Sequence, residues 1–388
     1  MKLVVAPNAL KGSLSPFEAA TAIANGARRA RPDAEVVEVP IADGGDGTAE
    51  VVGKARSADF REASALDPRG RPRRARYAWL EDGTAIIDVA TASGLALLTE
   101  NERSATLATS FGTGQVLRAA LEAGAQRVVL GVGGSATVDG GAGVLQALGV
   151  RFLDDAGREL PPGGSALARL ARIDSSGLTP LARHVPIEVA CDVDSALLGE
   201  QGAARLFAPQ KGGSASDVED LERALTRLAD VVERDFGRDV RTMTSGGAAG
   251  GIAAGLHGVL GARLMAGVDW VLDAVGFDQA LAGAALCLTA EGQLDSQSLR
   301  NKGPWGVARR AAAHGVPVVV LGGSIGADVR TGDFADFTAW FSICQRPVLL
   351  EEALTHAATL LEAASEQVVR LFVAAATSAK PEPPESRA

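Results

Sequence analysis

The stretch Arg127-Val-Val-Leu-Gly-Val-Gly-Gly-Ser-Ala-Thr-Val-Asp-Gly-Gly-Ala-Gly143 joins a short β-branched run to a long glycine-rich segment. Residues 127–131 predict a buried strand, and the glycines after them predict a loop whose backbone N–H groups can wrap an anion. Similar apolar runs alternate with alanine-rich helical patterns along the chain. This alternation predicts an α/β fold with mainly parallel sheets flanked by helices.

Outward from this stretch, the same patterns predict the other elements. Strands are predicted at Leu3–Ala6, Glu35–Val39, Ala85–Ala90, Ile187–Cys191, Leu286–Thr289 and Val316–Leu321. Helices are predicted at Pro16–Arg31 (with a Ser15/Glu18 capping box), Thr113–Ala123, Asp217–Phe236, Trp305–His314 and, as one long helix, Glu351–Phe372. Because ligands bind beyond the carboxyl ends of parallel strands, the polar segments after these strands are the candidate site.

Composition limits the function classes. The 388 residues carry a net charge of −9 and only 4% aromatic residues, which does not fit a base-stacking nucleic-acid binder. The basic run Arg69–Arg76 fits a solvated hairpin or loop better than a binding stripe. Three scattered cysteines predict reduced thiols in a cytosol, and no signal peptide or membrane span is visible. We therefore expect a cytoplasmic protein with neither a nucleic-acid nor a membrane partner.

Two candidate segments follow the first two strands. Asn8, Lys11 and Ser13 lie between a strand end and a helix start, where backbone amides and a lysine favour an anion. Asp43 and Asp46 lie among three glycines, and paired carboxylates suit Mg²⁺ or a hydroxyl proton. A plain strand–helix connection and an ordinary Asp-Gly turn are the structural alternatives.

The glycine-rich loop after Gly131 supplies the third candidate segment. Its predicted phosphate-binding or metal-binding residues are Gly133, Gly134, Ser135, Thr137 and Asp139. A fragment of the same loop also fits G-x-G-x-x-A, with Asp154 about twenty residues on, as in a dinucleotide fingerprint. The chain contains no G-x-x-x-x-G-K-[ST] motif, so it is not a P-loop protein.

Later strands are followed by more carboxylates and cations. Asp192 is a candidate general base or metal ligand, and Lys211 is a candidate phosphate contact. Glu291 and Asp295, with Lys302 behind them, supply two more carboxylates and a cation. The segment Gly246–Gly251 fits either a ligand loop or close helix packing.

None of these strand-end segments contains histidine, which serine-hydrolase triads and zinc hydrolases require. Carboxylates, lysines and glycines remain, and these are the groups that phosphoryl transfer uses. Two other functions stay open at this point. One is an NAD-dependent oxidoreductase built on the G-x-G-x-x-A fragment, and the other is a non-catalytic protein that binds a sugar acid.

Several of these segments together resemble type I glycerate kinases, in the family's order and over about residues 1 to 370. They are Pro7–Ser15, Ala42–Thr48, Thr109–Gly114, Gly133–Gly141, Ala190–Val193 and Pro209–Gly212. The chain departs from the family's pattern at Asn8, where Asp is frequent, at Val138, where Asn is frequent, and at Ala290, where Gly is usual.

The resemblance implies transfer of the γ-phosphoryl group of ATP to D-glycerate, with Mg²⁺, and 2-phosphoglycerate as the expected product. It implies two α/β domains with the active site in the interdomain cleft. The boundaries we expect are 1–80 with 285–375 for a discontinuous domain, 81–284 for the other, and a disordered tail at 376–388. A monomer or a homodimer is expected.

Residue roles follow from the resemblance and the segments above. The predicted catalytic residues are Asp192, as the base, with Lys11 and Asp43. The predicted substrate-binding residues are Asn8, Ser13, Asp46, Glu291 and Asp295. The predicted nucleotide-binding residues are Gly133, Gly134, Ser135, Thr137, Asp139 and Lys211, and the metal candidates are Asp43, Asp139 and Asp192.

Overall fold

A computed structural model describes residues 1–295, 303–327, 329 and 336–378. The chain forms two compact units. Unit 1 comprises residues 1–41 together with the described residues from 275 onward, and unit 2 comprises residues 42–274. The predicted domain limits at residues 80 and 285 differ from the observed unit limits at residues 41 and 275. The first difference arises because residues between 42 and 80 join the sheet of unit 2, as described below.

The elements of the described residues are as follows. The strands are β1 (Lys2–Val5), β2 (Glu35–Glu38), β3 (Asp59–Leu66), β4 (Pro72–Trp79), β5 (Thr84–Asp88), β6 (Arg127–Gly131), β7 (Arg151–Leu153), β8 (Arg172–Asp174), β9 (Ile187–Cys191), β10 (Arg263–Ala266), β11 (Ala284–Leu294), β12 (Val318–Ile325) and β13 (Ala339–Ser342). The helices are α1 (Pro16–Ala30), α2 (Thr48–Ala55), α3 (Ala90–Ser93), α4 (Phe111–Glu122), α5 (Ala142–Ala147), α6 (Leu181–His184), α7 (Ala203–Phe207), α8 (Ala215–Phe236), α9 (Ala248–Leu260), α10 (Gly267–Ala274), α11 (Phe277–Leu281), α12 (Gly303–Ala313), α13 (Leu350–Thr355) and α14 (Ala357–Ser378). Short 3₁₀ helices occur at Leu95–Leu97, Glu100–Glu102, Gly164–Arg169 and Pro209–Lys211.

Unit 1 is built on a five-stranded sheet in the order β13-β12-β11-β1-β2, and every neighbouring pair is parallel. The central strands β1 and β11 are almost fully buried, as expected for a parallel sheet covered on both faces. Helices α1 and α14 pack together closely, and the Ser365 hydroxyl of α14 donates to the Ile23 carbonyl of α1 at 3.2 Å.

Helix α1 begins where the sequence predicts. The Ser15 hydroxyl accepts from the Glu18 amide at 3.3 Å, and the Glu18 carboxylate accepts from the Ser15 amide at 2.8 Å. Both halves of the predicted capping box are therefore present.

Unit 2 is built on a six-stranded sheet in the order β10-β9-β6-β5-β4-β3. Strands β5, β6, β9 and β10 are parallel, whereas β3, β4 and β5 form an antiparallel meander. The basic run Arg69–Arg76 lies in the turn and second strand of the β3–β4 hairpin, which confirms the hairpin interpretation. Because β3 and β4 extend the same sheet, residues 59–79 belong to unit 2, although local sequence does not indicate that pairing.

The predicted single helix at Glu351–Phe372 is wrong. Two helices occur instead, since His356 leaves the helical region (φ −106°, ψ 15°) after α13 and α14 begins at Ala357. Part of the predicted tail is also helical, because α14 continues to Ser378; residues 379–388 lie outside the described residues. Within the described ranges, no helix has the length and apolar character needed to cross a membrane.

Candidate active site

The predicted Asp-Gly-Gly-Asp-Gly segment, residues 43–47, lies against the carboxyl ends of the unit 2 strands. The Val132 amide, directly after β6, donates to the Gly44 carbonyl at 3.0 Å. A Cβ atom at Gly44 would lie 2.8 Å from Gly267 Cα, and one at Gly133 would lie 2.5 Å from Gly45 Cα. Only glycines allow backbones to approach this closely, so the loop is seated on its neighbours through main-chain contacts.

Asp192, directly after β9, lies beside this segment. Its carboxylate accepts from the Gly267 amide at 2.9 Å and the Val268 amide at 2.7 Å, at the start of α10. Burial raises the pKa of Asp192 to about 8, and the negative charge of Asp43 raises it further against the opposing effect of the two amides. A carboxylate that titrates near neutrality is suited to accept a proton from a hydroxyl group.

The two aspartates of the 43–47 segment have different surroundings. Asp43 is half-buried and close enough to Asp192 to act on its pKa. Asp46 is exposed, and its charge acts on Asp88 instead. The structure therefore brings Asp43 to Asp192, whereas it places Asp46 near a different carboxylate.

Asp88 is a residue of this region that the sequence reasoning missed. It ends β5, is 3% exposed, and accepts from the Gly47 amide at 3.0 Å and the Ala49 amide at 3.1 Å. Burial raises its pKa to about 8, with the Ala49 amide opposing the rise and the Asp46 charge adding to it. The signal was a charged residue inside the predicted buried strand Ala85–Ala90, but its hydrogen-bond partners, about forty residues away in sequence, could not be inferred from it.

The predicted nucleotide loop is held from within by Asp139. This carboxylate is fully buried and accepts from the Ser110 amide at 2.8 Å, the Ser110 hydroxyl at 2.8 Å, the Gly141 amide at 3.1 Å and the Gly143 amide at 3.3 Å. Burial raises its pKa despite these donors. Asp139 thus ties the loop to the start of α4 and α5, and Ser110 is a second partner that the sequence reasoning did not single out.

Lys211 supports the same loop. Its ammonium donates to the Ser135 hydroxyl at 2.9 Å and to the Thr137 carbonyl at 2.8 Å, and the residue is 3% exposed. Burial lowers its pKa to about 7. Thr137 is also fully buried, so the accessible part of the loop is the backbone of Gly133 and Gly134.

The alternatives for Gly246–Gly251 are resolved in favour of close packing. The Gly140 amide donates to the Gly250 carbonyl at 3.0 Å, so the start of α9 lies directly against the glycine-rich loop. This contact supports the loop at a point away from its accessible glycines.

The fit of Mg²⁺ to this region depends on which carboxylates have room for it. Asp139 does not fit, because backbone and hydroxyl donors already surround its oxygens. Within the described residues no group of three or more His, Cys, Asp or Glu could hold a metal ion. Mg²⁺ is usually held by one or two carboxylates together with substrate phosphates, and the half-buried Asp43 fits that arrangement better than Asp192, whose two oxygens each accept a hydrogen bond from a backbone amide.

Unit 1 brings four of the other predicted residues to a cavity of about 350 Å³. Lys11, Ser13, Glu291 and Asp295 line it at the carboxyl ends of β1 and β11. The Ser13 hydroxyl donates to the Leu10 carbonyl at 3.0 Å, which fixes the turn after β1. Asn8 is 5% exposed, and its side-chain carbonyl accepts from the Ala9 amide at 2.8 Å; it lies outside the cavity lining, and Lys302 lies outside the described residues.

The dinucleotide interpretation fails on geometry. A Rossmann fingerprint runs from a strand through a tight turn directly into a helix. Here the G-x-G-x-x-A fragment ends at Ala136, whereas the next helix, α5, begins at Ala142. Asp154 is hydrogen-bonded to the Arg158 side chain and backbone in a local turn.

The parallel sheets and their polar strand ends are those of an α/β enzyme, and the sequence contains no P-loop motif. The model of the glycerate kinase family matches residues 3–373. The chain belongs to the glycerate kinase family, and as such it is an ATP-dependent kinase that phosphorylates a hydroxyl group.

Individual relatives agree with this family. A glycerate kinase of Bacillus subtilis is 43% identical over 369 residues, with 95% of this chain and 97% of the relative covered. A glycerate 2-kinase of Escherichia coli is 41% identical, with 92% and 94% covered. A crystal structure of a protein assigned as glycerate kinase 2 from Salmonella typhimurium LT2 superposes with a TM-score of 0.82 at 40% identity, covering 97% of this chain and 99% of that one. These comparisons support neither the oxidoreductase nor the non-catalytic alternative.

Proposed function

We propose that this kinase transfers the γ-phosphoryl group of ATP to the 2-hydroxyl of D-glycerate, giving 2-phosphoglycerate and ADP in a Mg²⁺-dependent reaction. The observation that carries the proposal is the environment of Asp192. Asp192 is a half-buried carboxylate with a pKa of about 8, and it is held by two backbone amides beside the carboxylate of Asp43. The glycerate 2-kinase among the relatives supports the choice of hydroxyl.

In this mechanism Asp192 accepts the proton of the substrate hydroxyl as the oxygen attacks phosphorus. The two amides of α10 hold the carboxylate in one orientation. Burial keeps it basic enough to take a proton at neutral pH. Asp43 sustains that basicity through its charge and orients the hydroxyl or the metal ion.

The glycine-rich loop has a separate role. The accessible backbone of Gly133 and Gly134 binds phosphate oxygens, while Ser135, Thr137, Asp139 and Lys211 fix the loop from within. Lys11 and Ser13 bind the transferred phosphate or the glycerate carboxylate. Bound Mg²⁺ would supply charge neutralisation on the phosphates, with Asp43 as the carboxylate that would hold it, since Asp192 serves as the base.

The decisive experiment is a coupled assay of ADP release from the purified protein with ATP, Mg²⁺ and D-glycerate. L-glycerate and a glycerate-free blank are the controls, and ³¹P NMR identifies the product. We expect D-glycerate-dependent ADP and a 2-phosphoglycerate signal, lost with EDTA and restored by added Mg²⁺. ADP release at the level of the blank would refute the substrate, and a 3-phosphoglycerate signal would refute the choice of hydroxyl.

A further inference from the structure

The strand order of unit 1 contains a topological switch point. From β1 the chain passes through α1 to β2 on one side of the sheet, whereas from β11 it passes through α12 to β12 on the other side. The resulting order, β2-β1-β11-β12-β13, is that of doubly wound sheets that bind a ligand outside the carboxyl ends of the two central strands. The cavity of unit 1 lies at this position, because residues 9–11, 291–293 and 295 line it.

The cavity has two chemically different walls. One wall is apolar and contains Leu10, Ile343 and the α13 side chains Leu350 and Leu354. The other wall carries the carboxylates of Glu291 and Asp295 together with Lys11 and Ser13. The volume of the cavity, about 350 Å³, lies within the range of small-ligand sites, roughly 300–1,000 Å³.

Part of the apolar wall is exposed to solvent. Leu350 is 75% exposed and Leu354 is 38% exposed, although both line the cavity. Large apolar side chains exposed next to a cavity indicate a surface that a ligand covers. A flat apolar ring bound there would remove both leucines from water.

The two substrates of a glycerate kinase differ in their fit to these walls. Glycerate is a three-carbon anion that could pair with Lys11 and Ser13, but it has no apolar surface to cover the leucines, and the two carboxylates repel it. The adenine ring of ATP is flat and can lie on leucines, while its amino group and the ribose hydroxyls can donate to carboxylates.

We propose that this cavity binds the adenosine part of ATP, with Lys11 at its edge toward the phosphates. The assignment rests on the proposed kinase function. Of the two roles given above for Lys11, binding the transferred phosphate or the glycerate carboxylate, this assignment favours the phosphate.

The test compares three neighbouring leucines. Leu354→Ala and Leu350→Ala remove apolar contact with the adenine ring, so KM for ATP should rise about tenfold while KM for D-glycerate stays within about twofold. Leu349→Ala is the matched control, because Leu349 is 77% exposed and precedes Leu350 but does not line the cavity. All three side chains are exposed, and thermal unfolding checks that each variant stays folded.

A binding measurement separates this proposal from the reaction. Calorimetric titration with ADP, and with tripolyphosphate as a probe without a nucleoside, needs no glycerate. Leu354→Ala should weaken ADP about tenfold and leave tripolyphosphate unchanged. Unchanged ADP binding, or a rise in KM for glycerate alone, would overturn the adenosine assignment. If wild type binds ADP in this way but shows no glycerate-dependent turnover, the proposed substrate fails and the adenosine site stands.

Discussion

The two units place polar side chains at the same kind of position, the carboxyl ends of parallel strands, but they build different surfaces there. In unit 2 the strand ends are filled by main-chain contacts between glycines, and backbone amides hold the carboxylates. In unit 1 the strand ends open into a cavity lined partly by apolar and partly by charged side chains. Unit 2 thus holds its charges in fixed positions, as catalysis requires, whereas unit 1 has space that a ligand could fill.

The largest expected effect concerns Asp192, the proposed base in unit 2. Asp192→Asn keeps the shape and can still accept from an α10 amide, but it cannot accept a proton. We expect turnover to fall about 10²-fold or more, the range for a lost general base, with the fold intact by circular dichroism. Asp194→Asn is the matched control, since Asp194 is exposed two residues further on. Near-normal turnover in Asp192→Asn would remove Asp192 from the role.

The next effect tests whether unit 2 depends on close main-chain contact. Gly133→Ala places a Cβ atom 2.5 Å from Gly45 Cα, so one of the two loops must move. We expect kcat to fall about tenfold, and overpacking to cost about 1–3 kcal/mol of the free energy of unfolding. Urea denaturation and steady-state kinetics measure the two quantities.

A second glycine separates strain from contact in that experiment. Gly157 also lies in unit 2, with φ 75° and no atom within 4 Å of the position that a Cβ would occupy. Gly157→Ala should lower stability through backbone strain alone and leave kcat at the wild-type value. Equal losses of kcat in both variants would show that the Gly133 contact has no special role.

A smaller effect concerns the support of the 43–47 segment. Asp88→Ala leaves the Gly47 and Ala49 amides without their acceptor, which we expect to cost about 1–3 kcal/mol of stability. Asp88→Asn retains one acceptor oxygen and should lose less. If Asp88 only stabilises the fold, kcat will be unchanged in both variants at a temperature where they are folded. If Asp88 also positions the 43–47 segment, kcat will fall in both variants, and more in Asp88→Ala than in Asp88→Asn.

The smallest effect is a shift in pH dependence. Because Asp192 must be ionised to act as a base and its pKa is raised to about 8, kcat/KM for glycerate should increase with pH and level off above that value. Asp43→Asn removes the neighbouring negative charge, so the inflection should move to lower pH. Asp46→Asn should leave it in place, since the charge of Asp46 acts on Asp88. An inflection that stays fixed in Asp43→Asn contradicts the coupling of the two carboxylates.

Sequence patterns predicted the central strands of both sheets and several of the longer helices of this kinase. Strand β6 and the glycine-rich loop after it, the capping box of α1, and the strand that ends at Cys191 all follow from periodicity and turn chemistry over a few residues. The same patterns failed at His356, where a helical sequence is interrupted, because nothing in the local hydrophobic spacing differs there.

Local sequence was enough to establish the α/β class, the oxygen-rich and glycine-rich strand ends, and the kinase family, since each depends on residues close together or on motifs in a fixed order. The folded chain was needed to show that Asp139 and Lys211 hold the glycine-rich loop by hydrogen bonds from within. It was needed equally to show that Asp88 accepts hydrogen bonds at the end of the 43–47 segment and that the charge of Asp43 raises the pKa of Asp192. It was also needed to show that a partly apolar cavity opens at the switch point of unit 1. The cause is the same in each case: burial, pKa and hydrogen-bond partners are set by segments that are distant in sequence and adjacent only after folding.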